Sequence, residues 1–270
     1  MLSKINTAVS FIQHLYATKP QVGIVLGSGL GSFTSEIVVE KEILYSDIPH
    51  FPISTVEGHS GKLIFGELGG KKVVAMAGRF HFYEGYGTDE VVFPIRVMKF
   101  LGIETLLVSN AAGGTNKHWK VGDLMIIKDH ISQFTPNPLV GKNLTELGPR
   151  FQDMSEPYKK VLIDKAKQIA ATKNIFLREG VYFGVTGPTF ETRAEYKMIE
   201  LLGGDAVGMS TVQEVITAVH CGMEVFAMSV ITDLGIREED NVITHQEVLD
   251  AANEAAPKLT SIFKALVQAV

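Results

Sequence analysis

Five short segments concentrate residues that could do chemistry, and each follows an apolar run. Gly78-Arg79-Phe80-His81-Phe82-Tyr83-Glu84-Gly85 packs Arg, His, Tyr and Glu between glycines. A guanidinium can fork onto a phosphate, and an imidazole can add a donor. A solvated turn seldom holds so many aromatic and hydrogen-bonding groups. Gly27-Ser28-Gly29-Leu30-Gly31 offers backbone N–H groups and the Ser28 hydroxyl to an anion, or is a tight structural turn. It fails the dinucleotide fingerprint at Ser32, and no Gly-Lys-Ser/Thr follows. Ser109-Asn110-Ala111-Ala112-Gly113-Gly114 is small enough for a ligand to approach the backbone, or for helix and strand to pack closely. Gly187-Pro188-Thr189-Phe190-Glu191-Thr192 puts a carboxylate at a helix start, where it reads a ligand or complements the helix dipole. Ala206-Val207-Gly208-Met209-Ser210-Thr211 brings a hydroxyl pair to another helix start, where Ser210 could serve as the N-cap.

Other chemistries fail. His81 and Glu84 have no further His or Cys at metal-ligand spacing, so no metal site is expected. Gly58-His59-Ser60-Gly61-Lys62 lacks the fifth-position glycine of a nucleophile elbow. Cys221 falls inside an expected helix and reads as packing.

The elements that must position these segments alternate. Helices are expected over Ser3 to Lys19, with Ser3 as cap, over Glu90 to Leu101, Pro157 to Thr172, Glu191 to Leu202 and Thr211 to Cys221. A last helix starts at Thr244, where Thr244-His245-Gln246-Glu247 is a capping box; it runs to about Ala269 and should bend near Pro257. Strands are expected at Val22–Leu26, Lys62–Leu68, Lys72–Ala77, Thr105–Ser109, Gly122–Ile131, Gly180–Val185, Ala206–Met209 and Val225–Ile231. The polar stretch from Ser132 to Pro157 reads as a long loop. Buried strands alternating with helices imply an α/β fold, with a mixed, largely parallel sheet flanked by helices. Ligands in such folds sit at the carboxyl ends of strands.

The chain has 270 residues, 46% of them hydrophobic and 20% charged, which suits a globular protein forming a single domain over residues 1–270. Its net charge of −5 argues against coating nucleic acid. One cysteine excludes an internal disulfide framework. No apolar run is long enough for a membrane span, and the N-terminus lacks a signal-peptide core, so a cytoplasmic location is the expectation.

Taken in order, the segments resemble the trimeric purine nucleoside phosphorylases that cleave inosine and guanosine. The resemblance includes Gly58-His59-Ser60-Gly61, the run Val207 to Glu214, and Thr244-His245-Gln246-Glu247-Val248, and it covers about residues 20–250. Each piece alone is weak; the ordered set is specific. It implies a three-layer fold and reversible phosphorolysis of purine nucleosides to free base and (deoxy)ribose 1-phosphate, in purine salvage. Phosphate is then a co-substrate and no cofactor is needed. By resemblance, Ser28, His59, Arg79, His81, Asn110, Ala111 and Ser210 bind phosphate. Tyr83, Val207, Met209 and His245 contact the nucleoside, Phe190 stacks on the base, and Phe134 closes a neighbour's pocket in a homotrimer. The expected catalytic set is His81, Glu191, Asp233 and His245. An ionised Glu191 accepts N1–H of a 6-oxopurine and faces the bare N1 of adenine unpaired.

One position departs from the family. Thr232-Asp233 stands where the 6-oxopurine enzymes usually carry Asn, and the aspartate resembles the 6-aminopurine branch. A methylthioadenosine- or adenosine-preferring phosphorylase is therefore the nearest alternative, although those enzymes carry a serine-rich turn at Phe190-Glu191-Thr192. A dinucleotide-dependent oxidoreductase is opposed by Ser32. A non-catalytic nucleoside binder would have no need of Arg79 and His81.

Overall fold

The computed structural model describes residues 1–56, 60–235 and 242–270. In chain order the elements are α1 (Leu2–Leu15), β1 (Val22–Leu26), β2 (Val38–Leu44), β3 (Lys62–Leu68), β4 (Lys71–Ala77), α2 (Thr88–Val91), α3 (Phe93–Leu101), β5 (Thr105–Gly114), β6 (Leu124–Ile131), α4 (Lys160–Thr172), β7 (Leu177–Gly184), α5 (Arg193–Leu201), β8 (Ala206–Gly208), α6 (Val212–His220), β9 (Glu224–Leu234) and α7 (His245–Ala269).

Among the described residues nine strands form one mixed sheet in the order β2-β3-β4-β1-β5-β8-β7-β6-β9. β9 also pairs along β5, so β5, β8, β7, β6 and β9 close into a ring. β4, β1, β5 and β9 are parallel, and their carboxyl ends lie at one edge of the sheet. Antiparallel pairing joins β2, β3 and β4, which makes the sheet mixed.

Several expectations are corrected. Ser3 does not cap α1; Met1 holds the N-cap position with no side-chain bond, and the helix ends at Leu15, short of Pro20. The expected helix from Glu90 to Leu101 is two helices, α2 and α3, with Pro94 in the first turn of the second. The strand expected over Thr105–Ser109 is longer: β5 continues through the small residues to Gly114. β9 likewise runs through Asp233. Glu191 lies outside the helix it was expected to open. Thr192 is the N-cap of α5, and Glu195 completes the capping box. α7 is capped by Thr244 and Glu247 as read, and it continues through Pro257. No helix or strand interrupts the stretch between Ile131 and Lys160. Among the described residues no helix is long and apolar enough to cross a membrane.

A continuous apolar core runs from Ile5 on α1 to Val267 on α7. A smaller cluster of Phe183, Tyr196, Ile199 and Val207 packs beside it. Tyr196 and Val207 also line the cavity described next.

Candidate active site

A cavity of about 380 Å³ opens where β1, β4, β5 and β9 end. Ser28, Arg79, His81, Tyr83, Asn110, Ala111, Phe190, Glu191, Val207, Met209, Ser210, Asp233 and His245 all line it. Residues more than 200 positions apart in the chain therefore share one space.

Arg79 follows β4 and is 1% exposed. Its Nε donates to Glu214 Oε1 at 3.1 Å and its second terminal nitrogen pairs with Oε2 at 3.0 Å. The first terminal nitrogen donates to the Ser109 carbonyl at 2.8 Å and to Ser210 Oγ at 3.2 Å. The guanidinium is thus fixed by β5, the β8–α6 turn and α6. A buried cation of this kind is tolerable only because it is paired and hydrogen-bonded.

The β8–α6 turn is strained. Thr211 has φ 72° and ψ −54°, and Val212 N–H donates to Ser210 O at 2.7 Å, which makes a tight γ-turn that β-branched residues disfavour. Asn110 Nδ2 donates to Thr211 Oγ1 at 2.8 Å, and Thr211 N–H donates to Glu214 Oε2 at 3.1 Å. Thr211, not Ser210, holds the N-cap position, which leaves Ser210 Oγ to Arg79, Thr211 and the cavity.

The glycine-rich turn serves packing and site together. A Cβ at Gly27 would meet the β5 backbone at Asn110, and Gly29, at φ 73°, lies against α7. Ser28 between them lines the cavity.

His81 Nδ1–H donates to Glu84 Oε1 at 3.0 Å, and its ring stacks on Tyr83 at 4.6 Å. Burial pulls the imidazole below its usual range; the Glu84 hydrogen bond opposes this and the Arg79 charge adds to it. Burial alone would raise Glu84, yet hydrogen bonds from His81 and Thr55 bring it down to about 2.

At the end of β9, Asp233 Oδ2 accepts from Tyr196 Oη at 3.1 Å, and Asp233 Oδ1 accepts from Thr232 Oγ1 at 3.2 Å. Burial raises the Glu191 carboxyl above its usual range. Hydrogen bonds from its own backbone and from Tyr196 oppose this, while the charges of Asp233 and Glu195 add to it.

Residues 21–268 match the phosphorylase superfamily. The chain belongs to that superfamily. It is 51% identical over 264 residues to purine nucleoside phosphorylase 1 of Geobacillus stearothermophilus, covering 98% of this chain and 96% of the relative. Its fold matches the Schistosoma mansoni purine nucleoside phosphorylase in complex with adenosine at a TM-score of 0.93 and 43% identity, covering 98% and 96% of the two chains. A schistosoma purine nucleoside phosphorylase in complex with hypoxanthine matches at 0.93 and 42%, with the same coverage.

One expected site residue of this phosphorylase-superfamily chain, Phe134, stands apart from the cavity lining, and the placement of another is not described. His59 lies outside the described residues. Phe134 does not line the cavity; it is 47% exposed on the long loop and stacks on Phe183 at 5.2 Å. Reading the sequence missed Glu214 and Tyr196, because both fit the inward face of a helix. The only signal for Glu214 was a buried-face carboxylate three residues after Thr211. Cys221 closes α6 and is buried, and burial pushes its thiol up to about 11, consistent with packing.

Proposed function

We propose that the chain catalyses reversible phosphorolysis of purine nucleosides, inosine, guanosine and their deoxy forms among them, to free purine and (deoxy)ribose 1-phosphate. The observation that carries this reading is one cavity holding both a phosphate-type donor set (Ser28, Arg79, His81, Ser210) and a purine-edge carboxylate, Glu191. The names of the relatives support it.

The bond to break is C1′–N9. Positive charge develops on the sugar and negative charge on the departing purine. Phosphate is itself the nucleophile and co-substrate, so no covalent enzyme group is required; the protein positions reactants and stabilises charge. Arg79, held by Glu214, and Ser210 grip phosphate with Ser28, His81, Asn110 and the Ala111 N–H. With Nδ1–H given to Glu84, neutral His81 meets phosphate through Nε2, which accepts from the P–OH of hydrogenphosphate. Tyr83, Val207 and Met209 hold the nucleoside, and His245 reaches the 5′-hydroxyl. Phe190 stacks on the base, and Glu191 accepts N1–H. Asp233, when protonated, donates toward N7 as the purine leaves. His59 covers the phosphate, and Phe134 completes the pocket of a neighbouring subunit in a homotrimer. Residues 1–270 work as one domain, in the cytoplasm, in purine salvage.

The test is release of hypoxanthine from inosine with and without phosphate. Release should require phosphate, arsenate should substitute for it, and chelators should leave the rate unchanged. Equal release in phosphate-free buffer overturns the reading.

A further inference from the structure

The hydroxyl of Ser210 is engaged from two sides. Arg79 donates to Ser210 Oγ from its first terminal nitrogen at 3.2 Å, and Thr211 Oγ1 lies 3.1 Å from the same oxygen. Behind Thr211, Asn110 Nδ2 donates to Thr211 Oγ1 at 2.8 Å. Asn110 and Thr211 are each 1% exposed, and Ser210 lines the cavity.

The direction of each bond follows from the proton count. A hydroxyl has one proton to give and two lone pairs to receive. Thr211 Oγ1 receives the Asn110 amide, and among the described residues its own proton has one acceptor, Ser210 Oγ. Were Ser210 the donor, the buried Thr211 proton would have no acceptor, which costs the desolvation of that group. Ser210 Oγ therefore accepts from Thr211 O–H and from Arg79 N–H. Its lone pairs are filled from the protein side, and its own proton is left to the cavity.

Resting on the reading of this wall as the phosphate site, we propose that Asn110 and Thr211 fix the polarity of the Ser210 hydroxyl, so that it meets phosphate only as a donor. Thr211 is a positioning residue that acts through Ser210, and the Asn110 amide acts one step behind it. Turning that amide over would reverse the chain and present Ser210 lone pairs to an anion.

Two features of the turn fit this role. Thr211 holds φ 72°, where a β-branched residue is strained. Glycine would sit there without strain but would bring no hydroxyl. The Asn110 amide is buried for a single bond, since its Oδ1 accepts nothing among the described residues. Both hydrogens on the first terminal nitrogen of Arg79 are committed, one to the Ser109 carbonyl and one to Ser210. Through that second bond the guanidinium polarises the Ser210 O–H. A hydroxyl that only donates requires a bare phosphate oxygen. The one proton of hydrogenphosphate is thereby left to His81 Nε2, which accepts it.

Neutron diffraction from crystals in heavy water, without and with inorganic phosphate, locates these protons as deuterons. The Thr211 deuteron should lie toward Ser210 Oγ. The Ser210 deuteron should point into the cavity before phosphate is added and onto a phosphate oxygen afterwards. In turnover at saturating inosine, Thr211→Val should weaken apparent phosphate affinity by about 3- to 10-fold and change the inosine KM by less than about twofold. Thr211→Ser restores the hydroxyl and should return phosphate affinity to within about twofold of the wild type. A Ser210 deuteron directed at Thr211 overturns the proposal. So does a Thr211→Val enzyme with unchanged phosphate affinity, or one whose two affinities fall together, because the side chain then only shapes the turn. Should Thr211→Val not fold, the wild-type deuteron map decides alone. If the deuterons lie as proposed but calorimetry detects no binding of inorganic phosphate, the phosphate reading fails and the polarity of the hydroxyl stands.

Discussion

At one wall of the cavity a buried carboxylate, Glu214, faces a guanidinium; at the other, two carboxyls, Glu191 and Asp233, face a single phenol. The first wall is complete before any ligand arrives. Arg79 has its counter-charge, and its donors are aimed by β5 and the strained Thr211 turn. The second wall brings like charges together, and the charge of Asp233 helps to hold the Glu191 carboxyl above its usual range. The difference teaches that the phosphate wall is built for one ligand in one charge state, whereas the base wall is left adjustable.

Breaking the first wall should have the largest effect. Glu214→Ala leaves Arg79 buried without its partner and uncaps the Thr211 N–H. A loss of about 3–5 kcal/mol of folding stability is expected in denaturant titration, against about 1 kcal/mol for Tyr196→Phe at the other wall. Equal losses would erase the contrast between the walls.

Ligand use should separate them next. At saturating inosine, Arg79→Ala and Ser210→Ala should weaken apparent phosphate affinity, by about 10- to 150-fold for the charged contact (about 1.5–3 kcal/mol), with a smaller change in nucleoside affinity. Unchanged phosphate affinity in both variants would remove them from the phosphate site.

At the base wall, Glu191→Gln replaces an acceptor with a donor that faces N1–H. Inosine kcat/KM should fall more than about tenfold, a change worth about 1.4 kcal/mol. A smaller loss means that Glu191 does not read the base.

The smallest effect concerns pH. Glu84 titrates at about 2 in the folded chain, below its ordinary 4.5, so it binds fewer protons folded than unfolded. Its contribution to stability is present above pH 4.5 and fades as pH falls toward about 2. Glu84→Gln should therefore melt below the wild type at neutral pH, with the gap closing on acidification. A gap that is constant with pH would mean that its hydrogen bonds to His81 and Thr55 do not depend on its charge.

Much of this arrangement was legible in the residues. The apolar runs mark β1, β3 and β4, and the box Thr244-His245-Gln246-Glu247 marks the start of α7 to the residue. The chemistry-bearing segments were legible because Arg79, His81 and Glu191 are costly to place without a partner. What stayed hidden is long-range. Pairing of β8 with the end of β5 is made at Gly113 and Gly114, small residues that read as lying beyond the strand until β9 and β8 flank them. Glu191 was read two residues too deep into α5, because the Thr192–Glu195 box was overlooked. Glu214 and Tyr196 occupy inward helix positions, where periodicity marks burial and says nothing of an ion pair or a bridge.

The closed ring has a consequence for the molecule among its neighbours. Because β9 returns to β5, the described sheet has one outer margin, β2, where backbone N–H and C=O groups could template another chain. That margin is short and irregular, with its register shifting between Val39 and Lys41. Charged Glu40, Lys41 and Glu42 interrupt exposed Val38, Val39 and Leu44, and Lys72 and Lys62 pair with Glu40 and Glu42. Protection against strand-to-strand aggregation therefore rests on a few charges far from the cavity, and neutralising Glu40, Lys41 and Glu42 together would remove most of it.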